Sequence, residues 1–266
     1  MKQKIQELYT LEQLSSGASA IHRLHPSVKL LTTVVFIIVV VSFSRYDIGR
    51  LVPYILFPTV IMSLSETPYT LLLKRFLVAL PFCIFAGVTN IFFDTEPAFV
   101  INTIVISNGV LSLVTIVFKS YLCVMTILIL MSVTPLAELT NAMRRLRIPY
   151  IFTVMFEMTY RYIGVLFDEA HTIYTAYSLR SSERKGIKIA DMGTVVGQLL
   201  LRSIDRADRI YNAMKCRGYA LRTMAYSRSR IERSDYIFGI AVTVVCIGFR
   251  VVNVNALLVG AFGEYA

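Results

Sequence analysis

The stretch "VLSLVTIVFKSYLCVMTILILMSVTPLAELTNAMRRL", Val110–Leu146, changes character within a few residues. Up to Val133 it is an apolar run of bilayer length whose one charge is Lys119. From Thr134 it reads as an amphipathic helix, with Thr134 as N-cap, Pro135 at the first helical position and Glu138 in the first turn. The first half requires lipid and the second requires water. The reading therefore starts from an all-α membrane protein with a helical polar segment threaded between its spans.

The rest of the chain fits that frame. Of its 266 residues 56% are hydrophobic, 17% are charged and none is Trp. A soluble domain carries about 25% charged residues. Apolar runs at 28–43, 51–64, 76–93, 110–133 and 236–262 give about five transmembrane helices. The first is short, about 21–24 Å of helix against about 30 Å of hydrocarbon, so its flanking residues are expected to snorkel. It lacks a small-residue cleavage site and is not read as a cleaved signal peptide. Residues 98–106 are apolar too, and suit a short extra or re-entrant segment.

The charges are unevenly placed. The net charge is +10, and residues 134–235 hold 17 of the 27 Lys and Arg and 10 of the 17 Asp and Glu. In a membrane protein such an excess marks the cytoplasmic side. Lys2, Lys4 and Arg23 before the first run, Lys29 at its start, and Lys74 and Arg75 before the third, put the N terminus inside. Asp94 and Glu96 lie in an outside loop, and five spans leave the C terminus outside. The expected organisation is a cytoplasmic N-terminal segment (1–27), four spans (28–133), a cytoplasmic coupling-helix domain (134–235) and a last span (236–266), in a multi-pass cell-membrane protein. "SRSRIERSD", Ser227–Asp235, reads as a juxtamembrane basic segment drawn to anionic lipid.

Within 134–235 "RIP", Arg147–Pro149, ends a first helix, "SSERKG", Ser181–Gly186, ends a second running from about 150 to 180, and Gly218 ends a third running from about 190 to 217. The two longer helices end alike. With Arg180 aligned on Arg217, Asp168 matches Asp205, Ala170 matches Ala207, Ile173 matches Ile210, Tyr174 matches Tyr211 and Ala176 matches Ala213. These positions, with Met214, line one helix face suited to packing on a neighbouring helix. An Arg in a last turn complements the helix dipole, and Gly suits a left-handed cap, so each end alone has a local explanation. The repetition adds a second one: paired arginines suit two equivalent acidic pockets on a partner, since guanidinium binds carboxylate bidentately. Asp205 with Arg209, and Glu157 with Arg161, have the i,i+4 spacing of helix ion pairs.

Catalytic patterns are missing from the sequence. It has no Walker A loop, no HExxH and no GxSxG. Three histidines and four scattered cysteines, Cys83, Cys123, Cys216 and Cys246, give neither a metal spacing nor a disulfide framework. Neither a cofactor nor a nucleic-acid partner is expected. A self-contained carrier or channel would need a polar path, for which Lys119, Arg250, Asn90 and Asn102 are the candidates.

"HRLHPSVKLL" (His22–Leu31), "TPLAELTNAMRRLRIPYIFTVMFEMTYRYIGVLFDEA" (Thr134–Ala170) and "LLLRSIDRADRIYNAMKCRGY" (Leu199–Tyr219) together resemble the transmembrane T components of energy-coupling factor (ECF) importers. Overall similarity, including "SETPYTLLLKRF", Ser65–Phe76, makes the chain most like the cobalt-type CbiQ branch. The resemblance implies a non-catalytic scaffold that joins two ATP-binding cassette ATPases to a membrane-embedded substrate-capturing S component. A T component for a vitamin, or one shared between substrates, is the alternative. The family's Ala-Arg-Gly or Ala-Arg-Ser tips, which enter grooves of the ATPases, fall on Leu179-Arg180-Ser181 and Cys216-Arg217-Gly218. Both arginines are kept, while Leu179 and Cys216 replace Ala. His25 and Ser27 stand where the family pattern has Asp and Arg, so its local ion pair is not expected here.

Overall fold

The structure, a computed structural model, describes residues 17, 19–93, 97–101, 104–180, 186–219 and 232–251. In chain order the elements are α1 (Ala20–Arg23), α2 (Pro26–Val41), α3 (Ile48–Leu51), a 3-10 turn (Val52–Ile55), α4 (Leu56–Ser65), α5 (Tyr69–Phe93), β1 (Pro97–Ile101), β2 (Ile104–Ser107), α6 (Asn108–Val133), α7 (Leu136–Arg145), α8 (Tyr150–Arg180), α9 (Ile189–Cys216) and α10 (Arg233–Val251). Two compact units result: Met1–Ala142 with Ser229–Ala266, and Met143–Arg228.

The first unit holds the apolar helices. Ile48–Ser65, Tyr69–Phe92, Asn108–Val133 and Arg233–Val251 are each long and apolar enough to cross a bilayer, and Pro26–Val41 is a shorter apolar helix. At 16 residues its length is about 24 Å. The chain is an all-α membrane protein with one local departure. Where an extra or re-entrant segment is expected over residues 98–106, β1 and β2 form an antiparallel pair that sets Phe99 against Ile106, Val100 against Val105 and Ile101 against Ile104. Its Val- and Ile-rich composition favours strand over a helix this short.

Two clusters make the core. Phe36, Val40, Phe43, Leu51, Tyr54, Leu122 and Cys246 join α2, α3 and its 3-10 turn, α6 and α10. Leu72, Phe76, Met125, Ile129 and Val133 join α5 to α6. A Cβ on Gly87 would lie 2.9 Å from Leu113 Cγ, so α5 approaches α6 closely only because that position is glycine. Asn90 Nδ2 donates to Ser112 Oγ at 2.8 Å across the same contact. Buried Thr115, Thr126 and Ser132 return their hydroxyls to carbonyls one turn back in α6. Large apolar side chains such as Val78, Phe82, Phe85 and Phe92 stand exposed on α5, the pattern of a helix meant for lipid or a membrane partner.

Lys119 and Arg250, charges well inside apolar runs, go to one place. Lys119 Nζ donates to Phe43 O at 2.6 Å and Val41 O at 3.4 Å. Arg250 donates to Ser42 O at 3.3 Å and lies over the Phe43 ring at 4.2 Å. Both bind carbonyls at or just beyond the C-terminus of α2, where the helix dipole favours cations. Asn90 is bonded to Ser112, so it, Lys119 and Arg250 serve helix packing, while Asn102 lies outside the described residues.

Candidate functional site

The second unit is built from the end of α7 with α8 and α9. Its first corner is fixed by Arg144. The guanidinium donates to Glu157 Oε2 at 2.9 Å and to Thr153 Oγ1 at 3.0 Å, and sits 5.0 Å from the centre of the Tyr150 ring. Arg161, the i,i+4 neighbour, reaches Glu157 Oε1 only at 3.8 Å. The carboxylate thus serves the α7–α8 corner first. Arg147 takes a left-handed φ of 63°, and Ile148 N–H donates to Met143 O at 3.3 Å, closing α7 with a Schellman-type cap ahead of Pro149.

α8 and α9 run antiparallel, held at three levels of one register. Near one end Tyr177 Oη donates to Asp191 Oδ2 at 2.7 Å. In the middle Arg202 donates to Glu169 Oε1 and Arg206 to Oε2, the latter at 3.4 Å. At the other end the Tyr150 and Tyr219 hydroxyls meet at 3.4 Å. The hydrogen bond from Arg202, with the charges of both arginines, holds the Glu169 carboxyl below the usual carboxylate range. Burial, helped by the Tyr219 contact, pushes the Tyr150 phenol up to about 12. Asp205 and Arg209 form no ion pair among the described residues. Each therefore stays solvated at its place on the helix.

The ends of the two helices carry the residues singled out by the sequence. Leu179 is 82% exposed and Arg180 is the exposed last residue of α8. Ser181 lies outside the described residues. Arg180 borders a polar groove of about 750 Å³ between α8 and α9, with Thr172, Tyr177, Lys188, Asp191 and Gln198 on its walls. At the end of α9, Cys216, Arg217 and Gly218 are all exposed. Gly218 has φ +71°, its N–H donates to Lys215 O at 3.0 Å, and Tyr219 N–H donates to Met214 O at 2.9 Å. That is a complete Schellman motif. Arg217 is its C-cap residue, and its side chain makes no ion pair among the described residues; the same holds for Arg180. Because the helices are antiparallel, Arg180 and Arg217 stand at opposite ends of the pair. α9 alone, 28 residues, is about 42 Å long.

Of the repeated face, Ile173 is buried at 6% exposure, and Ala170, Ile210 and Met214 are half-buried. Tyr174, Ala207 and Tyr211 are exposed, with Lys215 Nζ 5.2 Å from the centre of the Tyr211 ring. The inter-helix links Glu169–Arg202 and Tyr177–Asp191 were not singled out from the sequence; partners 33 and 14 residues apart leave no local spacing signal. Among the described residues no three His, Cys, Asp or Glu side chains gather as a metal site.

Comparison with known proteins bears on most of the chain. The family model "CbiQ: Cobalt transport protein" matches residues 17–226. The chain is similar to the energy-coupling factor transporter transmembrane protein EcfT of Bacillus subtilis, 26% identical over 76% of this chain and 82% of that protein. It is 24% identical to the EcfT protein of Ruminiclostridium cellulolyticum over 90% of this chain and 94% of that one. A shorter similarity, 28% identity over 43% of this chain and 47% of the relative, links it to the cobalt transport protein CbiQ of Rhodobacter capsulatus.

Proposed function

The chain belongs to the CbiQ cobalt transport protein family, and from that premise we propose that it is the energy-coupling T component of an ECF importer, carrying cobalt ion. In this reading two ATP-binding cassette ATPases take Arg180 and Arg217, hydrolyse ATP, and move α8 and α9. That motion passes to the spans and to a separate substrate-capturing S component. The N terminus and the second unit face the cytoplasm and the C terminus faces outward.

The observation that carries this reading is the pair of exposed arginines, each ending a long helix without an ion-pair partner among the described residues, set at opposite ends of one antiparallel pair. Arg144, Arg202 and Arg206 in the same unit are tied to carboxylates. A guanidinium left open at a helix C-terminus suits a carboxylate supplied by another chain. Two such groups about 40 Å apart suit two separate subunits better than one pocket. Cobalt as cargo rests on the family description and on the Rhodobacter relative's name.

The test is the double substitution Arg180→Ala with Arg217→Ala in the tagged chain, expressed with its native partners. The variant is expected to reach the membrane at wild-type level, to lose co-purifying ATPases or their coupling, and to drop Co²⁺ uptake by more than tenfold. Wild-type uptake in that variant refutes the assignment. Uptake of another substrate by the wild-type complex, without Co²⁺, refutes the cargo alone.

A further inference from the structure

The chain leaves the first unit after Ala142 and returns to it at Ser229. Both flanks of that excursion, and the N-terminal helices, meet at buried charged groups that no local spacing joins. Lys29, in the first turn of α2, is 5% exposed. Its Nζ donates to Val133 O, the last residue of α6, at 3.3 Å and to His22 O of α1 at 3.1 Å. Asp235, in the first turn of α10, is 4% exposed. Its Oδ1 accepts from His25 N–H and its Oδ2 from Glu232 N–H, both at 2.8 Å. Glu138 of α7 and Asp235 are both near enough to act on the Lys29 charge, though neither forms a direct ion pair with it. His25 itself caps α2 by accepting from Ser27 N–H at 3.1 Å through Nδ1.

We infer that Lys29 and Asp235 are positioning residues for energy coupling, forming a buried joint of charge-assisted hydrogen bonds to backbone through which both flanks of the coupling segment grip α1 and α2. The inference rests on the coupling reading above. Burying charges is costly, and apolar residues of like size often stabilise a protein as well or better. Packing alone therefore gives no reason for a lysine here. What the charged version adds is directional. Lys29 holds the carbonyl where α6 gives way to α7, and Asp235 holds the backbone where the chain re-enters at α10. A displacement of either flank must move the N-terminus of α2, which an apolar contact would let slide. The family's Asp at the α2 cap is His25 here, and the carboxylate comes instead from α10, 210 residues away along the chain.

The experiment uses the complete complex with its native cysteines replaced by alanine. Spin labels are placed on cysteines introduced at Leu77 and Ile240, exposed positions on α5 and α10. The label-to-label distance is measured without nucleotide and with a trapped ATP analogue, beside ATP hydrolysis. With the joint intact the distance is expected to shift between the two states. Lys29→Met and Asp235→Asn are each expected to keep the ATPases bound and hydrolysis within about twofold, yet abolish the shift; Lys29→Arg is expected to restore most of it. A full shift in Lys29→Met overturns the inference, and so does the absence of any shift with the joint intact. Loss of the ATPases from Lys29→Met overturns it too, by making the lysine a folding requirement. Failure of the docking reading is separate: it shows as an Arg180→Ala, Arg217→Ala complex that keeps its ATPases and its shift.

Discussion

Gly218 and Arg147 occupy the same kind of position, the left-handed residue that closes a helix. Glycine adopts it freely, while a residue with a Cβ gives up about 1–2 kcal/mol there. Gly218→Ala is therefore expected to destabilise the end of α9 by about 1 kcal/mol, read as faster hydrogen exchange at Met214–Tyr219. Arg147→Gly is expected to change α7 stability with the opposite sign and a similar size, checked by exchange at Met143–Ile148. The same sign for both would show that the caps do not set these ends. Cys216 precedes the C-cap and is exposed; no cap hydrogen bond in the structure depends on its side chain, so Ala is tolerated there as far as the cap goes.

At the scale of elements the α8–α9 pair depends on polar links, since no residue of α9 is buried within the chain. Glu169 is the centre of those links. Its folded pKa lies below its unfolded value, so its stabilising contribution is complete above about pH 4.3 and is lost as pH falls through the lowered folded value. Exchange protection across α9 is expected to be flat from pH 8 to about pH 5, after correction for intrinsic rates, and to fall only in stronger acid. Glu169→Gln is expected to raise exchange near Arg202 a few-fold at neutral pH, because exposed ion pairs contribute little singly. A protection loss centred near pH 6 would assign the link to another group.

Sequence showed some of these elements well and others poorly, for physical reasons. The 150–180 helix and the stop at Gly218 were legible because caps and breakers act over three or four residues. Apolar runs located the apolar helices among the described residues, though the end of the last run, at 262, lies outside them, and α5 begins at Tyr69 rather than 76, since Lys74 and Arg75 lie within its first turns. The strands β1 and β2 were ambiguous because a short apolar run such as 98–106 has no distinguishing period. Asp235 read as part of a lipid-facing basic segment, whereas its carboxylate is buried against His25; residues 220–231 of that region lie outside the described residues. Lys119, Arg250 and Glu169 find their partners across the fold, and nothing in local spacing announces such pairs.

At the scale of the molecule the polar layers described above set a length. Lys119 holds the C-terminal carbonyls of α2, and Val133 receives Lys29; the 14 steps between them along α6 cover about 21 Å. Asp235 and Arg250 mark the same two layers on α10, about 22 Å apart. These values agree with the about 24 Å of α2, and all fall short of the about 30 Å of a typical hydrocarbon core. α5, with 25 residues, reaches about 37 Å. The wall formed by α2 and α10 is thus shorter than a typical hydrocarbon core while α5 is longer, and a bilayer fitted to that wall would be locally thinned. Such mismatch costs fractions of a kcal/mol per Å and makes the surrounding lipid itself an elastic element. Reconstitution in bilayers of graded acyl length is expected to give the highest transport rate at short chains and a steady decline as thickness grows. A rate independent of chain length would mean that the protein tilts to absorb the difference, and that the lipid around it stores no tension.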